Sequence, residues 1–503
     1  MTASTARLVA MVAGLLAVVA AVVTPLLPVS NTAATISWPQ GQTLNADDPS
    51  IVAPLIAQTA KDIDITIDCR VLASLPTKAT VLSTMPPGAQ KAANKQLTVS
   101  ATETGVTVLF RSNVAATASR ADIAAGKCSK LRIFSSATAT GAEFVGLAPA
   151  KLLEADKRPQ VDGLFTTLTT AEITAAGNGI RANITIDNRY ESTPSAIKVI
   201  AMIIAVLATL IALFALWCLD RIHGCTGSLV EHSGRFLTRL RLRVSDLAVG
   251  GILLLWTVLG AGAPDDGYIL TMGRTAADAG YMANYYRFYG IAEAPFDWYY
   301  SFLARWAEVS PTIIWMHLPQ LAAGIASWFI LSRVVLPRLG DAVAKNAWAA
   351  WTTGAVFLAF WLPFCSGLRG EGIIVLGSLL TWWATELAIS RRRMLPAALA
   401  ATTAALTIAV APQGIVGIAI LLVAARPMLH ILIDRRREAG LTALLAPIAA
   451  AATVVAVIVF RDQTLMTVLE AMKTRYQTGP IVPWHQEFLR YYSLSVGTPD
   501  GAL

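Results

Sequence analysis

Two adjacent carboxylates sit inside "GAPDDGYILTMGR" (Gly262–Arg274), directly after a long apolar run. Asp265 and Asp266 are followed by Glu293 in the same loop, and later by Arg369 and Glu371 in "CSGLRGEG". These residue types suit one kind of chemistry. A hydroxyl is a poor nucleophile at neutral pH and needs a carboxylate base within hydrogen-bond reach. A departing phosphate needs a fixed cation, and a guanidinium supplies paired donors without losing its charge. Adjacent carboxylates repel when both are ionised, so the pair tends to divide into a base and a structural partner. Gly267 lets the backbone turn tightly or approach a ligand. Tyr268 can hydrogen-bond a substrate or anchor at an interface. The aromatic stretch "YMANYYRFYGIAEAPFDWYY" could wall and orient a substrate ring. The plainer alternative is an interfacial loop, with solvated aspartates and an ordinary aromatic belt.

The elements that must position these residues are membrane spans. Apolar residues make up 55% of the 503 and charged residues only 14%, against roughly 25% charge in soluble domains. Several windows reach the ~20 apolar residues needed to cross the hydrocarbon core. The net charge of +8 does not point to nucleic acid. The arginines cluster in short segments between apolar runs, which is positive-inside patterning, and no basic patch interleaved with aromatics occurs.

Nine crossings follow. Leu8–Val29 reads as an uncleaved anchor with its N-terminus in the cytoplasm, the rival being a cleaved signal peptide. Ile197–Cys218 is the second. It leads to a loop carrying Arg221, Arg235, Arg239, Arg241 and Arg243, the strongest cytoplasmic marker in the chain. Leu247–Ala263 then delivers Asp265 and Asp266 to the outer face. Thr312–Leu331, Trp348–Phe364 and Ile373–Ile389 continue the alternation, and the last of these ends in three arginines. Leu395–Val410 and Ile415–Ala425 read as a hairpin around "APQG", with short spans that could tilt, break or re-enter, and Leu444–Phe460 closes the series. The expected divisions are an anchor (1–29), an extracytoplasmic domain (30–196), a membrane region of about eight spans (197–460, outside loop 264–311) and an outer segment (461–503).

The domain after the anchor is β-rich. "KDIDITID", "QLTVSATETGVTVLF" and "ANITIDNRY" alternate polar and apolar residues between Gly, Pro and Asn turns, as half-buried antiparallel strands do. Its size fits a β-sandwich or jelly-roll. Cys69 and Cys128 lie in this domain; in an oxidising compartment they would pair, and otherwise they are two small core residues. Charged residues cluster at one surface, not at the midplane, which disfavours a transporter or flippase.

The wider stretches carry a resemblance. "DDGYILTMGRTAADAGYMANYYRFYGIAEAPFDWYYSFLARWAEVS", with "WPQGQ", "EFVGL", "RPQVDGLFT", "APQG", "FRDQTL" and "LRYY", resembles the mycobacterial cell-wall arabinosyltransferases, the ethambutol targets. "ISWPQG" and "DIAAGKCSKL" look most like the A member of that family. The resemblance implies a membrane-embedded C-type glycosyltransferase fold. It implies transfer of arabinofuranose from decaprenyl-phospho-arabinose to growing arabinan outside the plasma membrane, without a cofactor or metal. A B-type sister subunit and an acyl carrier protein on the cytoplasmic face are the implied partners. Asp265 matches the catalytic base and Asp266 its neighbour. Glu293 matches the acidic residue of the acceptor and ethambutol pocket, and Tyr268, Ile269, Met272 and Tyr300 match other pocket positions. Arg369 matches the arginine that holds the donor phosphate. This chain reads "SGLRGE" where the family usually reads "NGLRPE", which frees the backbone after Arg369. Family members are about twice as long, so the chain is expected to be an N-terminal half. The alternative reading is a non-catalytic partner that scaffolds an active sister.

Overall fold

Strand alternation builds Asn31–Glu191, the larger part of the first unit. In Asp62–Asp68 the side chains alternate outward and inward, so Ile63, Ile65 and Ile67 fall on one face and are buried. The computed structural model describes all residues except 32–33, 40–43, 56–58, 77, 148, 154–156, 223–241, 261–264, 284–289, 366 and 479–503. Its main strands are β1 (Thr35–Trp38), β2 (Asp62–Asp68), β3 (Ala79–Ser83), β4 (Leu97–Ala101) and β5 (Gly105–Phe110). They continue with β6 (Asn113–Ser119), β7 (Lys130–Ser136), β8 (Thr140–Phe144), β9 (Lys151–Leu153) and β10 (Ile180–Thr185).

Two antiparallel sheets result, in the orders β9-β8-β7-β2-β10-β1 and β3-β4-β5-β6. Ile65 lies opposite Ile133 in the first sheet, and Val99 opposite Val108 in the second. The inward faces of both merge into one core that also holds Trp38, Phe110, Leu131 and Ala182. This is the sandwich expected from the alternation. Cys69 and Cys128 are joined by a disulfide across a separation of 59 residues.

The second unit comprises Met1–Ser30, Ser192–Ala283 and Ala292–Leu503. Its helices are α1 (Ala3–Val23), α2 (Ala196–Ile222), α3 (Val244–Leu259), α4 (Asp266–Ala279), α5 (Trp298–Val309) and α6 (Ile313–Ile330). Next come α7 (Ala347–Phe364), α8 (Glu371–Arg391), α9 (Leu395–Ile408), α10 (Ile415–Val423), α11 (Ala425–Ala439), α12 (Leu441–Thr453) and α13 (Leu465–Thr478). The packing is that of a membrane protein. In α1 the buried positions are all small (Ala6, Ala10, Ala13, Gly14, Ala17, Ala20 and Ala21), while Leu8, Val12, Leu15 and Val19 face outward. Small residues let backbones approach closely, which drives helix association in lipid. A methyl on Gly14 would lie 2.6 Å from the backbone of Ala446, so α1 and α12 touch main chain to main chain.

Helices occupy all nine segments expected to cross. Among the described residues, however, only five are long and apolar enough to span alone: Ala3–Leu26, Ala196–Ile222, Ile313–Arg338, Glu371–Arg391 and Leu441–Val459. Of the outcomes open to the short second arm of the hairpin, the structure shows a break. At nine residues α10 is about 14 Å long, half of the hydrocarbon thickness. The chain does not leave the helical layer at Ala425. It bends by 52° and continues as α11, a sixth span if the bent pair counts as one. The reason lies in α11 itself, where Ile431 and Arg435 are buried although the arginine-rich sequence reads as a loop. Arg235, Arg239 and Arg241, with residues 261–263 of the third expected span and "LRYY", lie outside the described residues.

The helix ends sort into two sets. Asp220 at the end of α2 accepts from the Met394 and Leu395 amides at the start of α9 and pairs with Arg435 of α11. Asp246 in the first turn of α3 accepts from the Arg243 amide (2.7 Å) and Trp328 Nε1 (2.9 Å), and pairs with Arg333 beyond α6. Arg338 lies 3.4 Å from Glu386 near the end of α8. The arginine-rich ends are therefore knit together, and the opposite ends of α3, α6 and α8 meet elsewhere.

Candidate functional site

At those opposite ends the chain leaves α3 and starts α4. Asp265 is the residue before the helix, and Asp266 occupies its first turn, where the unpaired amides favour negative charge. The two carboxylates have different surroundings. Asp266 Oδ1 accepts the Leu368 amide at 2.7 Å, and its Oδ2 lies 3.7 Å from His317 Nε2. Gly367 completes the clamp. Its φ is +74°, and a methyl there would sit 2.3 Å from both Asp266 carboxylate oxygens. Only glycine lets the 367–370 loop close over that carboxylate.

Arg369 follows directly in the same loop. Its carbonyl accepts from Gln320 Nε2 of α6, and its guanidinium pairs with Glu371 in the first turn of α8. Gln320 Nε2 is also 3.4 Å from the Tyr299 hydroxyl. Asp266 and Arg369, far apart in sequence, are thus placed by one four-residue loop. Where the resembled family carries proline, Gly370 adopts φ −77°, a value proline shares. A Cβ there would nonetheless lie 2.6 Å from Val410 Cγ1. The glycine is matched to a branched residue packed against it.

An aromatic and aliphatic cluster supports this loop. Ile269, Tyr299, Leu303, Met316, Leu368, Ile374 and Val410 are buried together, with Tyr268 and Tyr300 packed at the edge. Burial pushes the Tyr299 and Tyr300 hydroxyls above the ordinary phenol range, so both stay protonated as donors. Trp306 and Trp315 stack at 4.5 Å beneath them. Met272 is fully buried one turn further along α4, beside Gly273, which packs on Ala304 of α5.

Glu293 is held separately. Its carboxylate pairs with Arg475 of α13 at 2.8 Å, and Arg475 also donates to the carbonyls of Ala292 (2.7 Å) and Glu293 (3.1 Å). Burial pushes the Glu293 carboxyl up, against the opposing pull of Arg475. Arg475 escaped the sequence reading because nothing local marks it out from other helical arginines. Asp297 escaped it as well. Buried before α5 with Oδ1 lacking a partner, its carboxyl is pushed up to about 7, first by burial and then by Asp462. After burial, the charges of Glu293 and Glu371 and the hydroxyls of Tyr268 and Tyr299 add to the upward push on Tyr300.

Two of the spaces beside these residues bear on the site. An apolar cavity of about 1300 Å³ runs between α9, α12 and α13, with Pro295, Phe296, Ile408, Val459, Met472 and Arg475 on its walls. A second, of about 20 Å³, lies between Thr257, His317, Gln320, Trp361 and Gly367. Among the described residues no three His, Cys, Asp or Glu side chains converge in a way that could hold a metal ion.

Comparison with known proteins adds the family context. A family model described as "Mycobacterial cell wall arabinan synthesis protein" matches residues 193–503, and one described as "Arabinosyltransferase concanavalin like domain" matches 30–189. "Probable arabinosyltransferase A" of Mycobacterium tuberculosis is 46% identical over 501 residues, covering 98% of this chain and 45% of that relative. "Probable arabinosyltransferase B" of Mycobacterium avium is 46% identical over 506 residues, covering 99% and 46% respectively. The cryo-EM structure of arabinosyltransferase EmbB from Mycobacterium smegmatis superposes with a TM-score of 0.84 at 42% identity, covering 96% of this chain and 47% of that one. The chain spans about half the length of the curated relatives it matches.

Proposed function

The chain belongs to the mycobacterial cell-wall arabinan synthesis family, and from that premise we propose that it is an arabinosyltransferase. In this reading it moves arabinofuranose from decaprenyl-phospho-arabinose to cell-wall arabinan at the outer face of the plasma membrane. A B-type sister subunit and an acyl carrier protein on the cytoplasmic face are its proposed partners. The observation that carries the reading is the hydrogen bond from the Leu368 amide to Asp266. It ties the residue beside Asp265 to the residue beside Arg369, which supports reading the two as base and phosphate-binding cation of one site.

Each group then has one task. Asp265 takes the proton of an arabinan hydroxyl as its oxygen attacks the anomeric carbon. The bond from that carbon to the donor phosphate breaks, and decaprenyl phosphate departs with the electron pair toward Arg369. The anomeric configuration inverts. Arg369 already pairs with Glu371, but its guanidinium has five N–H donors, enough for a carboxylate and a phosphate together. Asp266 serves as the structural partner that keeps the loop closed. Tyr268, Ile269 and Tyr300 wall the sugar, Met272 backs them, and Glu293 lines the acceptor side under the control of Arg475. The walls of the large cavity are mostly apolar, with Arg475 as a charged residue among them, which suits a polyprenyl tail.

Membranes carrying the full gene product, labelled donor and an oligo-arabinan acceptor test this reading. With the sister subunit's own base disabled, Asp265→Asn is expected to abolish transfer. Unchanged transfer removes the catalytic assignment and leaves a scaffold.

A further inference from the structure

His317 and Gln320 are one helical turn apart on α6 and so share a face. Both side chains are more than nine-tenths buried, and each has one polar atom without a hydrogen-bond partner: His317 Nε2 and Gln320 Oε1. Both line the same cavity of about 20 Å³. That volume exceeds the ~10–15 Å³ a single water needs and leaves no room for a larger ligand.

The chemistry of the lining decides what can sit there. His317 Nδ1 faces the carbonyl of Thr257 at 3.4 Å, and a carbonyl only accepts, so Nδ1 carries the hydrogen. In the neutral ring Nε2 is then an acceptor, and it faces another acceptor, Asp266 Oδ2, at 3.7 Å. Gln320 is oriented by its Nε2, which donates to the Arg369 carbonyl; the flipped amide would set oxygen against oxygen. Its Oε1 is therefore fixed as an acceptor. Two buried acceptors line the cavity, and a water supplies two O–H donors.

We propose that one water bridges His317 and Gln320, making them positioning residues that brace the Arg369 loop against Thr257 of α3. The water donates to Gln320 Oε1 and to His317 Nε2. The strut so formed runs from the Thr257 carbonyl through His317, water and Gln320 to the Arg369 carbonyl. It bears on the 367–370 loop at Arg369. Neither residue touches substrate. Gly372 belongs to the same device, since a methyl there would lie 2.0 Å from Gln320 Oε1.

The inference rests on the site reading given above, and the test keeps the two apart. A density map of the full gene product in lipid nanodiscs, at a resolution that shows ordered water, should place one peak ~2.6–3.2 Å from both His317 Nε2 and Gln320 Oε1. A cavity with no peak, or His317 Nε2 bonded directly to Asp266, overturns the proposal. Kinetics give a second measurement on the same protein. Gln320→Leu should raise KM for the lipid-phosphate donor about tenfold while leaving acceptor KM unchanged, because only the Arg369 end is loosened. His317→Leu should lower kcat about tenfold, and His317→Gln, which keeps a donor and an acceptor, should recover most of it. Equal changes in both KM values, or no recovery with glutamine, count against the strut. If Asp265→Asn leaves transfer intact, the site reading falls regardless of the map; if it abolishes transfer and the peak is missing, only the strut falls.

Discussion

Aspartates mark both ends of this helical unit, and the two ends treat them differently. At the arginine-rich end Asp220 and Asp246 are almost fully buried, and each is matched by a guanidinium as well as by backbone or indole donors. At the other end Asp266 is held by an amide and approached by an imidazole, while the nearby Arg369 is turned toward Glu371. A carboxylate whose charge is cancelled by a buried guanidinium is a fastener. Asp266 instead closes a loop through a backbone amide. The same residue type thus fastens helix ends to guanidinium groups at one end and holds a loop at the other.

The largest test of this contrast is a pair of deletions. Asp265→Asn should cost about 10²–10⁴ in transfer rate with little change in thermal stability. Arg435→Ala should do the reverse, lowering stability by about 3–5 kcal/mol because it strands Asp220 in the interior. Thermal unfolding in detergent, run beside the transfer assay, reads both. If Arg435→Ala proves as stable as the parent, the fastener interpretation is wrong.

A smaller effect is expected at the loop. Gly367→Ala forces a side chain onto a φ of +74° and into the Asp266 carboxylate. We expect transfer to fall about 10²-fold from misplacement of the reacting groups, with about 1–2 kcal/mol of strain. Replacing Gly370 by the family's proline should be harmful alone and tolerated with Val410→Ala, since Val410 occupies the space a ring would need; transfer assays of the single and double variants check it.

The smallest effect concerns Asp297. Its folded value of about 7 lies above the ordinary carboxylate value of 3.8, so between these limits the folded state holds more protons than the unfolded one. Stability therefore declines as pH rises from about 4 to about 7 and levels off above. Asp297→Asn should flatten that slope and raise Tm at neutral pH by about 2–4 °C. Melting curves between pH 4.5 and 8 measure both.

Much of the architecture was legible in the chain. Period-2 stretches such as "DIDITID" became strands with Ile63, Ile65 and Ile67 inward, and apolar runs became helices because both patterns are local. The α10–α11 stretch could only be read as a short span able to tilt, break or re-enter, because its burial depends on Asp220, more than 200 residues away, which pairs with Arg435. The site divides likewise. Its residue types were visible in "DDGY" and "SGLRGE", but the bond from Leu368 to Asp266 and the hold of Arg475 on Glu293 were not.

By itself the sequence determined which segments are helical or extended, which side chains carry charge, and which family the chain resembles. Tertiary structure alone decided which charge cancels which. Propensity and hydrophobic period act over a few residues, whereas the partner of a buried carboxylate is chosen by packing between helices far apart in the chain. That choice is what separates Asp220 and Asp246, held by guanidinium groups, from Asp266, held by the Leu368 amide.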